Sequence, residues 1–218
     1  MKIRKLLLIL VPMLLAALAL YLLLPRDDVP APDGPPVICL DPGHGGSAAG
    51  AVNGERMEKD DNLRLALRVR ELLEERGEEL TVLMTRADDT ALELQERTDF
   101  ALQKGATMFV SFHRNSGGGA GVETWTAAEP TDGDTALADA IQTRLVDVAA
   151  ASDRGVRKGT AADPKGNYFV LSHTLEIPSC LIELGFIDSA DDNALFDQHF
   201  EAYAAAIADG ILKAAGLR

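Results

Sequence analysis

The chain has 218 residues, 47% of them hydrophobic, and a formal net charge of -13. That length supports one well-buried domain plus an extra segment and is short for two domains. Binding a polyphosphate backbone needs a basic stripe, so 34 acidic residues against 21 Lys and Arg exclude nucleic acid as a partner.

Lys2, Arg4 and Lys5 precede an almost unbroken apolar run from Leu6 to Leu24, which at ~1.5 Å per residue is long enough to cross a hydrocarbon core. Residues 1–24 are therefore expected to form an N-terminal transmembrane helix; Ala17-Leu18-Ala19 offers a cleavable signal segment as the competing account. Cations before the run and Asp27 and Asp28 after it predict a cytoplasmic N-terminus and an exported remainder. Residues 25–36 hold Pro25, Pro30, Pro32, Pro35 and Pro36, a semi-rigid linker holding residues 37–218 off the membrane.

Val37 to Leu40 reads as a strand, and Leu65, Ala66, Val69, Leu72 and Leu73 recur at helical spacing until Gly77. Leu80 to Met84 is the next strand, and Thr90 with Glu93 predicts a capping box opening a helix through Leu102. Met108 to Phe112 and Val122 to Thr126 read as strands, and Leu137, Ile141, Leu145 and Val148 mark a helix face. Tyr168 to Leu171 and Cys180 to Glu183 read as two more strands before a final amphipathic helix carrying Phe200, Tyr203, Ala204, Ile207 and Ile211. Strands alternating with crossover helices predict an α/β fold: a single three-layer domain with a mostly parallel or mixed sheet and helices on both faces. Cys39 and Cys180 lie in apolar runs and read as buried, unpaired thiols.

Four residues stand at predicted strand ends or helix starts, where sites gather in α/β sheets. His44 lies in a Pro-Gly-His-Gly-Gly turn, Glu58 near a helix start, His113 after Phe112, and Glu183 after the apolar Cys180-Leu181-Ile182. His44 alone reads as a turn histidine, and Glu58 alone as a first-turn acid, for which Glu55 is an alternative. A carboxylate after so apolar a strand, however, needs a partner to offset its desolvation. Two imidazoles and one carboxylate make an open site for one Zn2+, which lowers the pKa of water and polarises a carbonyl; Glu183 would serve as base. That combination points to a hydrolase.

His173 and His199 are not counted as ligands, and Arg86 and Arg97 read as structural partners of nearby acids. Trp125 reads as packing, and Glu123 is left open between a supporting and a surface role. Arg154, Arg157, Lys158 and Lys165 cluster in an otherwise acidic chain, the default being a solvated loop and the alternative a contact with substrate carboxylates.

The segments Asp41 to Gly46, Glu58 to Leu63, Thr85-Arg86, Leu94 to Arg97, Ser111 to Asn115, Gly121 to Thr124, Arg154 to Val156, Tyr168 to Leu171 and Leu181 to Ile187 resemble, in order, those of the zinc-dependent N-acetylmuramoyl-L-alanine amidases of the amidase-3 family. The resemblance implies that His44, Glu58 and His113 hold zinc, that Glu-Lys-Asp selects Glu58 over Glu55, and that Glu183 is catalytic. It further implies cleavage of the amide between N-acetylmuramic acid and the first alanine of the stem peptide. Peptidoglycan, its glycan strand and stem peptide together, is then the partner. The expected location is extracytoplasmic; the small size and single N-terminal anchor resemble those of amidases that act on spore-cortex peptidoglycan, with cell separation or wall turnover as the runner-up role. A catalytically silent peptidoglycan-binding module and a zinc peptidase acting within the stem are the competing classes. Ser47-Ala48-Ala49-Gly50 and Asp188-Ser189 depart from the family pattern in loop detail. The short spacing before the last strands resembles the minimal, uninhibited form, which leaves control to expression or to a protein activator.

Overall fold

In chain order the elements are β1 (Val37–Pro42), β2 (Val52–Asn53), β3 (Arg56–Met57), α1 (Glu58–Glu75), β4 (Thr81–Met84), α2 (Leu94–Gln103), β5 (Met108–Asn115), β6 (Val122–Thr126), α3 (Asp132–Asp147), β7 (Asp153–Lys158), α4 (Phe169–Ser172), β8 (Ser179–Phe186), α5 (Ala190–Gln198) and α6 (Phe200–Ala214). This computed structural model describes residues 34–76, 79–148, 152–162 and 165–217. The expected transmembrane helix at 1–24 and the linker up to residue 33 lie outside the described residues. Among those described, no helix is long and apolar enough to cross a membrane.

Six strands form one sheet in the order β4-β1-β5-β8-β6-β7. β4, β1, β5 and β8 run parallel, β6 is antiparallel to β8, and β7 is parallel to β6. The expectation of a mostly parallel or mixed sheet thus resolves to mixed. Parallel neighbours need a crossover of a dozen or more residues, which α1 and α2 supply on either side of β4. The Gly-rich stretch between Asn115 and Val122 is too short for one, so β6 returns in the opposite direction.

Side chains alternate between the two faces along each strand. Ile38, Leu40, Val110, Phe112, Cys180 and Ile182 meet Leu65 and Val69 of α1, Ile141 and Leu145 of α3, and Ile207 and Ile211 of α6 in the larger core. Cys39, Phe109, Leu181 and Trp125 face the other way and pack with Ala101 of α2 and Val170 and Leu171 of α4. Helices therefore cover both faces, but the second cover is thin, built on a ten-residue and a four-residue helix. Cys39 and Cys180 are free and buried, as expected. They belong to opposite cores, with β5 between their strands, and burial pushes both thiols well above their ordinary pKa.

Four local expectations are corrected. Tyr168 to Leu171 is not a strand: Phe169–Ser172 forms a helical turn, in which the Leu171 and Ser172 amides donate to the Tyr168 carbonyl and the His173 amide to that of Phe169. The capping box lies three residues further on, with Glu93 as the N-cap and Glu96 reaching back. β7 and α5 were not expected; β7 is an edge strand with polar residues at most positions, so it lacks the apolar alternation that marks a strand. Finally, β5 and β8 continue past His113 and Glu183, which stand inside the strands, near their C-terminal ends.

Candidate active site

The C-terminal ends of β1, β5 and β8 lie side by side, and the turn after β1 carries His44. His44 has φ 63, a left-handed backbone that costs a non-glycine residue on the order of 1 kcal/mol and persists only when its surroundings enforce it. Two buried arginines do so. Arg86 donates to the carbonyl oxygens of Pro42, at 3.0 Å, and of Gly43, at 2.9 Å, while Arg97 donates to those of Pro42, at 3.2 Å, and of His44, at 2.7 Å. They are structural, as expected, but their partners are mainly backbone carbonyls; among the described residues the only acid side chain in direct contact is Asp41, 3.4 Å from Arg97. Gly43 is required for a separate reason: a Cβ there would fall 2.3 Å from Cε1 of His113.

Glu58 is the first residue of α1, a position where the helix dipole favours a carboxylate. Its Oε2 accepts from the Ala51 amide at 2.8 Å, and its Oε1 from the Arg114 amide at 3.2 Å and Asn62 Nδ2 at 3.4 Å. The same Oε1 lies 3.1 Å from His44 Nε2 and 2.8 Å from His113 Nδ1. Burial alone would raise the Glu58 pKa, but its bonds to His113 and His44 outweigh that and hold the carboxyl far below the usual range. The imidazoles stand edge to face, centroids 5.1 Å apart.

One donor atom from each of His44, Glu58 and His113 lies within 4.8 Å of the others. Two ligands ~2.0–2.1 Å from a tetrahedral Zn2+ lie about 3.4 Å apart, so the set fits a cation with small adjustments and leaves one coordination position without a protein donor. Glu55, the alternative to Glu58, is not in this group.

Glu183 is the cross-strand neighbour of His113 on one side and of Glu123 on the other, which puts all three on the thinly covered face. Part of Glu183 is open, but its Oε2 is enclosed and has no hydrogen-bond partner among the described residues. Burial first, and then the charges of Glu58 and Glu123, raise its pKa well above the ordinary carboxylate value, against a smaller pull from Arg114. An ionised carboxylate without a partner is costly, and a cation at the His44–Glu58–His113 group would offset that cost.

Glu123, left open by the sequence, is 1% exposed. Its Oε1 accepts from Asn115 Nδ2 at 2.7 Å and Trp125 Nε1 at 3.2 Å, and its Oε2 from the Nε atoms of Arg154 at 2.7 Å and Arg157 at 3.0 Å. The signal was present: an acid in phase with Trp125 along a strand all of whose residues are buried. Trp125 packs, edge to face with Tyr168 at 5.6 Å. His173 is exposed and stacks on Phe169 at 3.8 Å, and His199 ends α5; neither joins the cluster. Arg114, not singled out by the sequence, is buried, and while its backbone amide donates to Glu58 its side chain pairs with Asp61.

The sequence model of the family described as N-acetylmuramoyl-L-alanine amidase matches residues 38–213. The chain belongs to this amidase family. The amidase is 35% identical over 183 residues to the sporulation-specific N-acetylmuramoyl-L-alanine amidase of Bacillus subtilis, covering 83% of this chain and 69% of that one. It is 36% identical over 155 residues to the amidase CwlM of Bacillus licheniformis, covering 71% and 58% of the two chains. Among solved structures, the catalytic domain of CwlV from Bacillus (Paenibacillus) polymyxa superposes with a TM-score of 0.74 at 34% identity, covering 84% of the amidase and 99% of that domain. The mixed α/β sheet is thus the architecture of solved amidases.

Proposed function

We propose that this amidase hydrolyses the amide joining the lactyl group of N-acetylmuramic acid to the first alanine of the peptidoglycan stem, with one Zn2+ held by His44, Glu58 and His113 and with Glu183 as general base. The observation that carries the reading is the meeting of those three donors beside a carboxylate whose Oε2 is enclosed and, among the described residues, unpartnered. Bound there, zinc supplies a Lewis acid that acidifies water and polarises the scissile carbonyl. Glu183, its proton affinity already raised by burial and neighbouring acids, takes the proton from the attacking water and passes it to the departing alanine nitrogen. Glu58 and the turn braced by Arg86 and Arg97 keep the imidazoles oriented before substrate arrives, so little reorganisation is needed during reaction.

The substrate lies outside the cytoplasm, and the apolar run from Leu6 to Leu24 behind three cations would anchor the chain there. The sporulation-specific relative supports a role in spore-wall maturation. Incubating the zinc-loaded protein with purified peptidoglycan and identifying products by mass spectrometry tests the bond chosen. Free stems beginning with alanine are expected; shortened stems would indicate a peptidase, and no product a binding module.

A further inference from the structure

Two arginines on one buried carboxylate exceed what burial requires. Glu123 already has Asn115 and Trp125 on Oε1, so a single arginine on Oε2 would complete its pairing. Instead Arg154 and Arg157 both reach that oxygen, leaving a surplus positive charge in a chain of net charge -13. A local distortion makes this possible. Residues three apart in a regular strand point to opposite faces, but β7 advances from Asp153 to Val156 while β6 advances only from Val122 to Thr124. The extra residue is a bulge at Gly155, whose φ of 78 suits glycine, and it turns both arginines toward Glu123.

Both contacts use Nε, so neither guanidinium fork is spent on Glu123. The side chains keep 32% and 45% of their surface exposed. Each is also steadied on an aromatic ring: Arg154 Cζ lies 4.9 Å from the Phe186 centroid and Arg157 Cζ 5.8 Å from that of Trp125. Cations held in place but open to solvent are suited to a carboxylate ligand, for which a guanidinium offers paired donors. Glu123, Glu183 and His113 stand in one row on adjacent strands. Strands ~4.8 Å apart put Glu123 about 10 Å from His113, the reach of about three extended residues.

We propose that Arg154 and Arg157, seated on Glu123, form a subsite for a free carboxylate on the first residues of the peptide released by the reaction. The inference rests on the amidase reading above and adds a preference for an acidic leaving peptide.

The test compares two soluble muramoyl-peptides that differ only in whether a carboxylate within the first three peptide residues is free or amidated. The full-length, zinc-loaded protein is expected to favour the free acid about tenfold in kcat/KM, mostly through KM, as one charge-assisted hydrogen-bonded pair provides. Arg157→Gln should reduce that ratio severalfold while the amidated substrate is cleaved within about twofold of wild type, and Arg157→Lys, which keeps the charge without the fork, should retain part of the preference. A purely structural arginine would lower both rates together and leave the ratio unchanged. Equal cleavage of the two substrates by wild type, or an unchanged ratio in Arg157→Gln, would overturn the subsite. Cleavage of neither by wild type would overturn the amidase reading and the subsite with it.

Discussion

Glu183 carries two opposing demands, and its metal-free behaviour exposes them. Its folded-state pKa is raised above the unfolded value, so the folded chain binds the proton more tightly. The contribution of Glu183 to the stability of the metal-free protein is then fully present below the unfolded Glu pKa of about 4.3 and is lost as pH rises through the folded value. Glu183→Gln removes the ionisable group, so without metal at pH 7 it should melt a few degrees above wild type, in keeping with about 1–3 kcal/mol for an unsatisfied buried group. The advantage should vanish near pH 4.5; thermal melting in chelator across that range checks it, and a variant less stable at pH 7 would contradict it. Gly43 gives the complementary case. A methyl at that position meets the His113 ring at 2.3 Å, so Gly43→Ala should push the imidazole aside. It should weaken zinc binding at least tenfold, on the scale seen when a ligand's support is lost, as read by competition with a chromophoric chelator.

At the scale of elements, periodicity made most of the scaffold legible. The apolar positions of α1, α3 and α6 recur at helical spacing and all fall in the larger core. Ile207 of α6 is fully buried there, so Ile207→Ala should cost about 2–5 kcal/mol in urea unfolding through lost contacts and the cavity left behind, without altering metal binding. What periodicity missed has a common physical origin. β7 is polar and sits at the sheet edge, held by ladder bonds to one neighbour, so its residues carry no buried stripe. The helical turn at Phe169–Ser172 is too short to show a period at all. The Glu93 box and the Thr90 alternative share the same spacing of acceptor and acid, and only the three-dimensional path of the chain separates them.

For the whole molecule, site and scaffold were legible for different reasons. His44, Glu58, His113 and Glu183 are far apart in sequence, and no local spacing joins them; their residue types at strand ends and a helix start suggested an open metal site, and the resemblance to a family selected the set. The fold then explains the meeting: β1, β5 and β8 are parallel neighbours with the starts of the turns on one edge, and α1 points its first residue at the same place. The pairing of Glu123 with Arg154 and Arg157 was not legible, because it depends on a bulge and on β6 lying between β8 and β7, neither of which sequence periodicity encodes. The thin helical cover on that face leaves His113, part of Glu183 and the arginines seated on the buried Glu123 open to solvent, while the thick cover on the other holds the larger core. The most direct test of the four-residue centre titrates zinc into metal-stripped protein while following stem-peptide release from peptidoglycan, in parallel for wild type and Glu183→Gln. Release should rise with zinc to one ion per chain in wild type, and the variant should load the same single ion while losing at least about a hundredfold in turnover; release from fully stripped wild type, or undiminished turnover in the variant, would contradict the account.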